Sequence, residues 1–406
     1  MTNDYVAEIL RATGTLRSGD PDGVTAIVQN ALALAGLTGS GGGIVAGDPG
    51  RSTKMPQASL PGLGLTEHHS SRTGRLRKPL GEVIRSLQEG GKGLKLEGLP
   101  GLGRPLQAPE MPLPDGAQFL DQRYSCAAGA RRYRLYVPST AGEGLQGLIV
   151  MLHGCTQNPE DFAAGTGMNA LAEEHRLLVA YPAQTGGDNS MSCWNWFRPG
   201  DQMRDTGEPA IIAGLTRSLR DQYAIPKDQV FVAGLSAGGA MAAIMGETYP
   251  ELYGAIGVHS GLAYRSANDT MSAFTAMRGQ PGIEPGLSST PIAGLGSGPR
   301  TIVFHGSADT TVHPSNAERI IAGKAGRKER TSRSEAAASG ERRGYTRLVV
   351  KRDDGTHDLE SWTIQGAPHA WSGGHPSGSY TDPRGPDASA AMVRFFLHGA
   401  SDAPGA

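Results

Sequence analysis

Gln229-Val-Phe-Val-Ala-Gly-Leu-Ser-Ala-Gly-Gly-Ala-Met-Ala-Ala-Ile-Met245 decides how the rest of this chain reads. Residues 230–233 form an apolar run of the kind expected in a strand buried on both faces. Residues 239–249 are mostly small and apolar and read as a helix. Between them stands Gly234-Leu235-Ser236-Ala237-Gly238, a serine with glycine two places to either side. So tight a turn needs flanking positions with almost no side chain. It exposes the serine hydroxyl at the carboxyl end of a strand, and the next helix presents its N-terminus to any negative charge that develops there. The pentapeptide alone recurs by chance in a chain with 59 glycines. The strand before it and the helix after it make Ser236 a candidate nucleophile.

A serine hydroxyl attacks well only when a histidine takes its proton, and the histidine needs a carboxylate to fix its tautomer. In α/β-hydrolases the acid and then the histidine follow the serine, each in a loop after a later strand. Residues 301–304 are a β-rich run that Gly306 ends, and Asp309 lies in the loop beyond it, where open α/β sheets bind ligands. Most loop aspartates simply close an Asx turn or cap a helix, and one near Pro314 is available for that role. Asp353, Asp354 and Asp358 are rivals, but they occupy a polar hairpin turn between strands at 347–350 and 359–364. After the second of these strands comes Gly366-Ala-Pro-His369, which makes His369 the candidate base and His375, in the adjoining Gly/Pro/Ser loop, the alternative. His153, His259 and His305 read as core or supporting histidines. His175, His313, His357 and His398 read as surface residues.

Tetrahedral intermediates of acyl transfer need preorganised donors for their oxyanion. The apolar run 147–152 ends in His153-Gly154-Cys155-Thr156-Gln157, a strand-to-loop turn in which glycine admits a close approach of the main chain. The backbone N–H groups of Cys155 and of Ala237, the residue after the serine, are the candidate donors. Strands at 131–137, 148–152, 177–181, 230–233 and 255–258 alternate with helices at 168–175, 209–223 and 239–249. That alternation predicts a doubly wound, mainly parallel sheet covered on both faces.

Together with that turn and the elbow, the motifs Ala-Gly-Thr-Gly-Met-Asn (164–169), Cys-Trp-Asn-Trp-Phe (193–197), Val-His-Ser-Gly-Leu (258–262), Phe-His-Gly-Ser-Ala-Asp (304–309) and His-Ala-Trp-Ser-Gly-Gly (369–374) resemble the esterase family of poly(3-hydroxybutyrate) depolymerases. The resemblance spans about 119–397. It implies an α/β-hydrolase fold, a Ser236–Asp309–His369 triad and, as substrate, an ester of a hydroxyalkanoate polymer or its oligomers, with no cofactor. Feruloyl or acetyl esters of plant polysaccharides are the alternative substrates, since related esterases cleave them. A granule-associated protein on a retired hydrolase fold and an acyltransferase are the alternative functions. The resemblance also implies a Cys155–Cys193 disulfide; two reduced buried thiols are the other reading, favoured in a reducing compartment. His153, Trp194, Trp196 and Trp371 are expected around the triad, either packed beneath its loops or forming an apolar substrate wall.

Net charge is −1 over 406 residues, so nothing draws the chain to nucleic acid or to an acidic membrane surface. No apolar run approaches the ~20 residues of a membrane-spanning helix. Three cysteines exclude a disulfide framework, and no metal-binding motif is present. Residues 1–36 read as a helical hairpin turning at Gly19-Asp-Pro-Asp-Gly23 and suited to docking, self-association or granule contact. They lack the order of a secretory signal. That favours the cytoplasm, whereas the family resemblance leans toward secretion. Residues 37–117 read as a mostly disordered Gly/Pro-rich linker and 118–400 as the catalytic domain, closed by a helix near 389–398. Within that domain 321–345 reads as a disordered, solvated insert, and 264–299 as an aperiodic loop on the cleft side.

Overall fold

Strands buried on both faces must be apolar at every position, and this requirement shapes the centre of the sheet. The computed structural model describes residues 113–280, 298–325 and 331–398. The expected N-terminal hairpin and nearly all of the expected linker lie outside these residues. The described chain runs β1 (Gln118–Cys126), β2 (Gly129–Val137), β3 (Gly147–Leu152), α1 (Pro159–Thr166), α2 (Met168–His175), β4 (Leu177–Pro182) and α3 (Gly207–Gln222). It continues through β5 (Val230–Leu235), α4 (Ala237–Thr248), β6 (Ala255–His259), α5 (Thr270–Met277), β7 (Arg300–Gly306) and α6 (Ser315–Ala325). Then follow β8 (Thr331–Ala336), β9 (Tyr345–Lys351), β10 (His357–Ile364), the short pair β11 (Trp371–Ser372) and β12 (Thr381–Asp382), and α7 (Ala388–His398).

Ten strands form one sheet in the order β1-β2-β4-β3-β5-β6-β7-β10-β9-β8. The stretch from β4 to β10 is parallel, and antiparallel strands flank it at both edges. This is the mainly parallel, doubly wound α/β-hydrolase architecture. Alternation along each central strand divides the core. Leu148, Val150, Leu152, Val230 and Val232 face Ile212, Leu215 and Leu219 of α3 and Met241 and Met245 of α4. Ile149, Met151, Phe231 and Ala233 face Phe162, Met168, Met392, Phe395 and Phe396 on the other side. Phe231 and Phe396 stack at 4.8 Å, which locks α7 against the sheet.

Two stretches differ from the sequence reading. The insert at 321–345 contains the end of α6 and then β8, which pairs antiparallel with β9 along Thr331–Ala336. Residues 332–335 are exposed, so polarity suggested a solvated loop where the chain instead adds a hydrated edge strand. The loop after residue 264 contains α5. Asp269 and Ser272 cap it reciprocally: the Asp269 carboxylate accepts from Ser272 N–H, and Ser272 Oγ accepts from Asp269 N–H. That pair was the local signal for a helix.

Candidate active site

The elbow forms because three backbones meet where no side chain fits. Ser236 lies between β5 and α4 with φ 57° and ψ −119°, a conformation that costs a non-glycine residue energy and persists only where its surroundings dictate it. A Cβ on Gly238 would strike the carbonyl oxygens of Leu152 and His153, and one on Gly234 would strike Gly238. Glycine at these two positions therefore lets the elbow press directly against the turn after β3. The Ser236 N–H donates to His259 O at 2.9 Å. The side chain is half-buried.

Strand order brings the acid and the histidine together. β7 and β10 are parallel neighbours, with Gly306 opposite Ile364, so the loops that follow them leave the sheet side by side. Asp309 Oδ2 lies 2.7 Å from His369 Nδ1, although the two residues are 60 apart in sequence. Asp309 Oδ1 accepts from the N–H groups of Thr311 and Val312 at 3.0 and 2.8 Å, the Asx-turn role a loop aspartate fills by default. One carboxylate serves both purposes. His305 Nε2 approaches Oδ2 at 3.4 Å and Val312 O at 2.7 Å. Burial raises the Asp309 pKa, but the charges of and hydrogen bonds from His369 and His305 outweigh it and hold the carboxyl well below its usual range. His375 is exposed and bonded to Ser377 Oγ. Asp354 caps the β9–β10 turn through Thr356, and Asp358 pairs with Arg352. None of these rivals enters the cluster.

His259, at the end of β6, joins the parts. Its carbonyl holds the Ser236 amide, its Nε2 accepts from Ser372 N–H at 2.9 Å, and its ring stacks on Trp371 and Phe304. Burial, followed by the neighbouring His305 and His369, drives its pKa well below the ordinary value, so it is a neutral acceptor. Sequence placed it at a strand end but gave no sign of what its ring would bond.

Cys155 lies in the turn after β3, and Ala237 opens α4 directly after the elbow serine. Neither N–H has an acceptor among the described residues. A disulfide joins Cys155 to Cys193 with Cα atoms 4.2 Å apart, which fastens the turn to the 193–197 loop. Beneath that loop Glu208 accepts from Asn195 N–H and Nδ2 at 2.8 and 2.7 Å and from Gln184 Nε2 at 2.5 Å. Burial, helped by Asp201, pushes the Glu208 carboxyl up to about 7 against these bonds and the charge of Arg131. The sequence reading missed Glu208, for a glutamate in the first turn of a helix looks like an ordinary end charge.

The structure corrects the substrate-wall reading of His153, Trp194 and Trp371. His153 and Trp194 are 0% exposed and Trp371 is 1%. The His153 ring accepts Gln184 N–H at 3.0 Å, and burial lowers its pKa to about 4. Trp194 donates to His153 O at 3.1 Å, and Trp371 donates to Ser389 Oγ at 3.0 Å. These rings pack under the loops because their polar tips find partners inside. Trp196 is 6% exposed and packs edge-on against the partly exposed Phe197.

Comparison with known proteins agrees with this architecture. Poly(3-hydroxyalkanoate) depolymerase C of Paucimonas lemoignei is 34% identical over 55% of this chain and 54% of its own length. Acetylxylan esterase A of Talaromyces purpureogenus is 31% identical over 47% of this chain and 51% of its own length. The chain thus spans about half the length of the curated relatives it matches. The acetyl xylan esterase structure from Aspergillus awamori superposes with a TM-score of 0.50 at 23% identity, covering 62% of this chain and 94% of that one, a likeness of fold. The profile described as Esterase PHB depolymerase matches residues 131–350, more than half of the chain and including both Ser236 and Asp309, and the chain therefore belongs to that family.

Proposed function

We propose that this chain is a serine esterase that cleaves carboxylic esters through an acyl-enzyme, with hydroxyalkanoate oligomers or amorphous polymer as its substrate class. The observation that carries the reading is the 2.7 Å contact between Asp309 and His369 in loops beside the strained Ser236 elbow. In this reading His369 accepts the Ser236 proton as Oγ attacks the ester carbonyl. Asp309 accepts a hydrogen bond from Nδ1–H, which leaves Nε2 as the base, and its charge stabilises the imidazolium that forms. The N–H groups of Cys155 and Ala237 hold the oxyanion. Collapse expels the alcohol with the proton from His369, and water repeats the sequence to release the acid.

The similarity to acetylxylan esterases favours a second reading, in which the acyl group is acetate on a polysaccharide. Covalent labelling by a fluorophosphonate, mapped by peptide mass, tests the shared chemistry, and label found anywhere but Ser236 rejects it. Comparing kcat/KM on 3-hydroxybutyrate trimer with that on acetylated xylan then separates the substrates. Faster release of acetate from xylan replaces the first reading with the second.

A further inference from the structure

The proposed reaction uses no side chain from the turn after β3, yet one side chain holds that turn in place. Gln157 is 4% exposed. Its Oε1 accepts Gly154 N–H at 2.9 Å. Its Nε2 donates to Asp161 Oδ2 at 2.9 Å and approaches Ser379 O and Oγ at 3.2 and 3.3 Å. The amide has one orientation open to it, since a backbone N–H only donates and an ionised carboxylate only accepts. Asp161 in turn accepts from Ser379 N–H at 2.9 Å and from Ser379 Oγ at 2.6 Å. Beside this cluster the left-handed residues Thr156 and Tyr380, at φ 63° and 52°, bring their hydroxyls within 3.1 Å of each other.

From this geometry we infer that Gln157 is a positioning residue for the oxyanion site, an inference that rests on the esterase reading. By occupying the Gly154 N–H it fixes the chain at the point where the next amide, that of Cys155, has no acceptor among the described residues. Through Asp161 and Ser379 it ties this turn to the segment that follows His369 and Trp371. A donor aimed at developing charge does most when it need not reorganise during the reaction, and the clamp removes that freedom from the turn.

The test reverses the polarity of the clamp. Gln157→Glu keeps an acceptor for Gly154 N–H but sets a second carboxylate against Asp161. Pairing it with Asp161→Asn restores one donor opposite one acceptor with the roles exchanged. Wild type, Q157E, D161N and the double variant are compared on p-nitrophenyl butyrate, and for binding of a trifluoromethyl ketone that forms a tetrahedral adduct. Each single variant is expected to lose about 10- to 100-fold in kcat, less than the ~10²–10³-fold lost when a donor is removed outright. KM is expected to stay within about twofold, because the donors act mainly on the transition state. Ketone affinity should fall in step with kcat, and the double variant should regain most of both. A folded Q157E with wild-type kcat overturns the role, as does a kcat loss with no loss of ketone affinity, or one the double variant does not restore. Should Q157E fail to fold, D161N and the double variant carry the same comparison. A Ser236→Ala control separates the two levels. If it is inactive, a fully active Q157E rejects only the clamp; if it is active, the esterase reading itself is rejected.

Discussion

Two buried histidine–carboxylate pairs in this molecule have the same hydrogen-bond length and different surroundings. His369 Nδ1 meets Asp309 Oδ2 at 2.7 Å, and His357 Nδ1 meets Glu360 Oε1 at 2.7 Å. In both, burial raises the carboxyl pKa and is outweighed by cationic or donor neighbours, so each acid is held well below its usual range. Glu360 lies within β10 and also accepts from Arg347 at 2.9 Å, Arg394 at 2.8 Å and Trp362 Nε1 at 3.2 Å. It neutralises two guanidinium groups and ties β9 and α7 to β10. Asp309 lies beyond the end of β7, oriented by two backbone N–H groups, and its histidine sits in a loop at the rim that also carries the elbow. Bond length and proton affinity therefore do not identify a relay. In the proposed esterase reading, position at the rim does.

The isosteric changes Asp309→Asn and Glu360→Gln test this contrast most sharply. Asp309→Asn is expected to cut kcat on a p-nitrophenyl ester by about 10⁴-fold, since the amide favours the wrong imidazole tautomer. Glu360→Gln should leave kcat per folded molecule within about twofold, for its effect is on packing and charge rather than on the reacting atoms. Stopped-flow kinetics on folded fractions measures both, and comparable losses would erase the distinction.

Stability should show the reverse order. Glu360→Ala removes a buried carboxylate from two partly buried arginines and is expected to cost up to about 3–5 kcal/mol in urea unfolding, the range for breaking a buried ion pair. A destabilisation under about 1 kcal/mol would mean that Arg347 and Arg394 find water or other partners.

Reducing the Cys155–Cys193 bond acts on the rim alone, with an expected cost of about 2–4 kcal/mol. Before reduction, denatured protein should take up one equivalent of alkylating reagent, at Cys126. Afterwards all three cysteines should react. Two or more reactive thiols in unreduced protein would remove this fastening from the description.

The smallest expected effect is a slope. A carboxyl whose folded pKa is depressed contributes stability that is complete above its ordinary pKa near ~4 and is lost as pH falls through the folded value, since the unfolded chain binds the extra proton. Asp309 and Glu360 both act in this sense. Unfolding free energy should therefore fall below about pH 4, and Glu360→Gln should flatten that limb by up to one proton, ~1.4 kcal/mol per pH unit. A limb of unchanged steepness in the variant would assign the acid sensitivity to other groups.

Much of this was legible before the fold was known, where chemistry is local. The run 230–245 announced strand, turn and helix because burial on both faces, a crowded turn and small helical residues each leave a mark on neighbouring positions. The β9–β10 hairpin was marked in the same way by its polar turn. The reading was misled where local composition stood in for partners. Polar residues at 331–336 became an edge strand because β9 offered unpaired backbone, and His357, read as a surface residue, is buried against Glu360.

Sequence by itself determined the order of the apolar strands, the glycine-flanked serine and the set of acids and histidines able to serve it, because each depends on residues a few places apart. Only the tertiary structure decided that Asp309 meets His369 while His375 bonds elsewhere, that His259 links the elbow to the loop after β10, and that Gln157 clamps the turn to Ser379. Those pairings depend on which strands lie side by side. A carboxylate and an imidazole 60 residues apart come within hydrogen-bonding distance only when β7 and β10 pair in parallel and release their loops at the same edge.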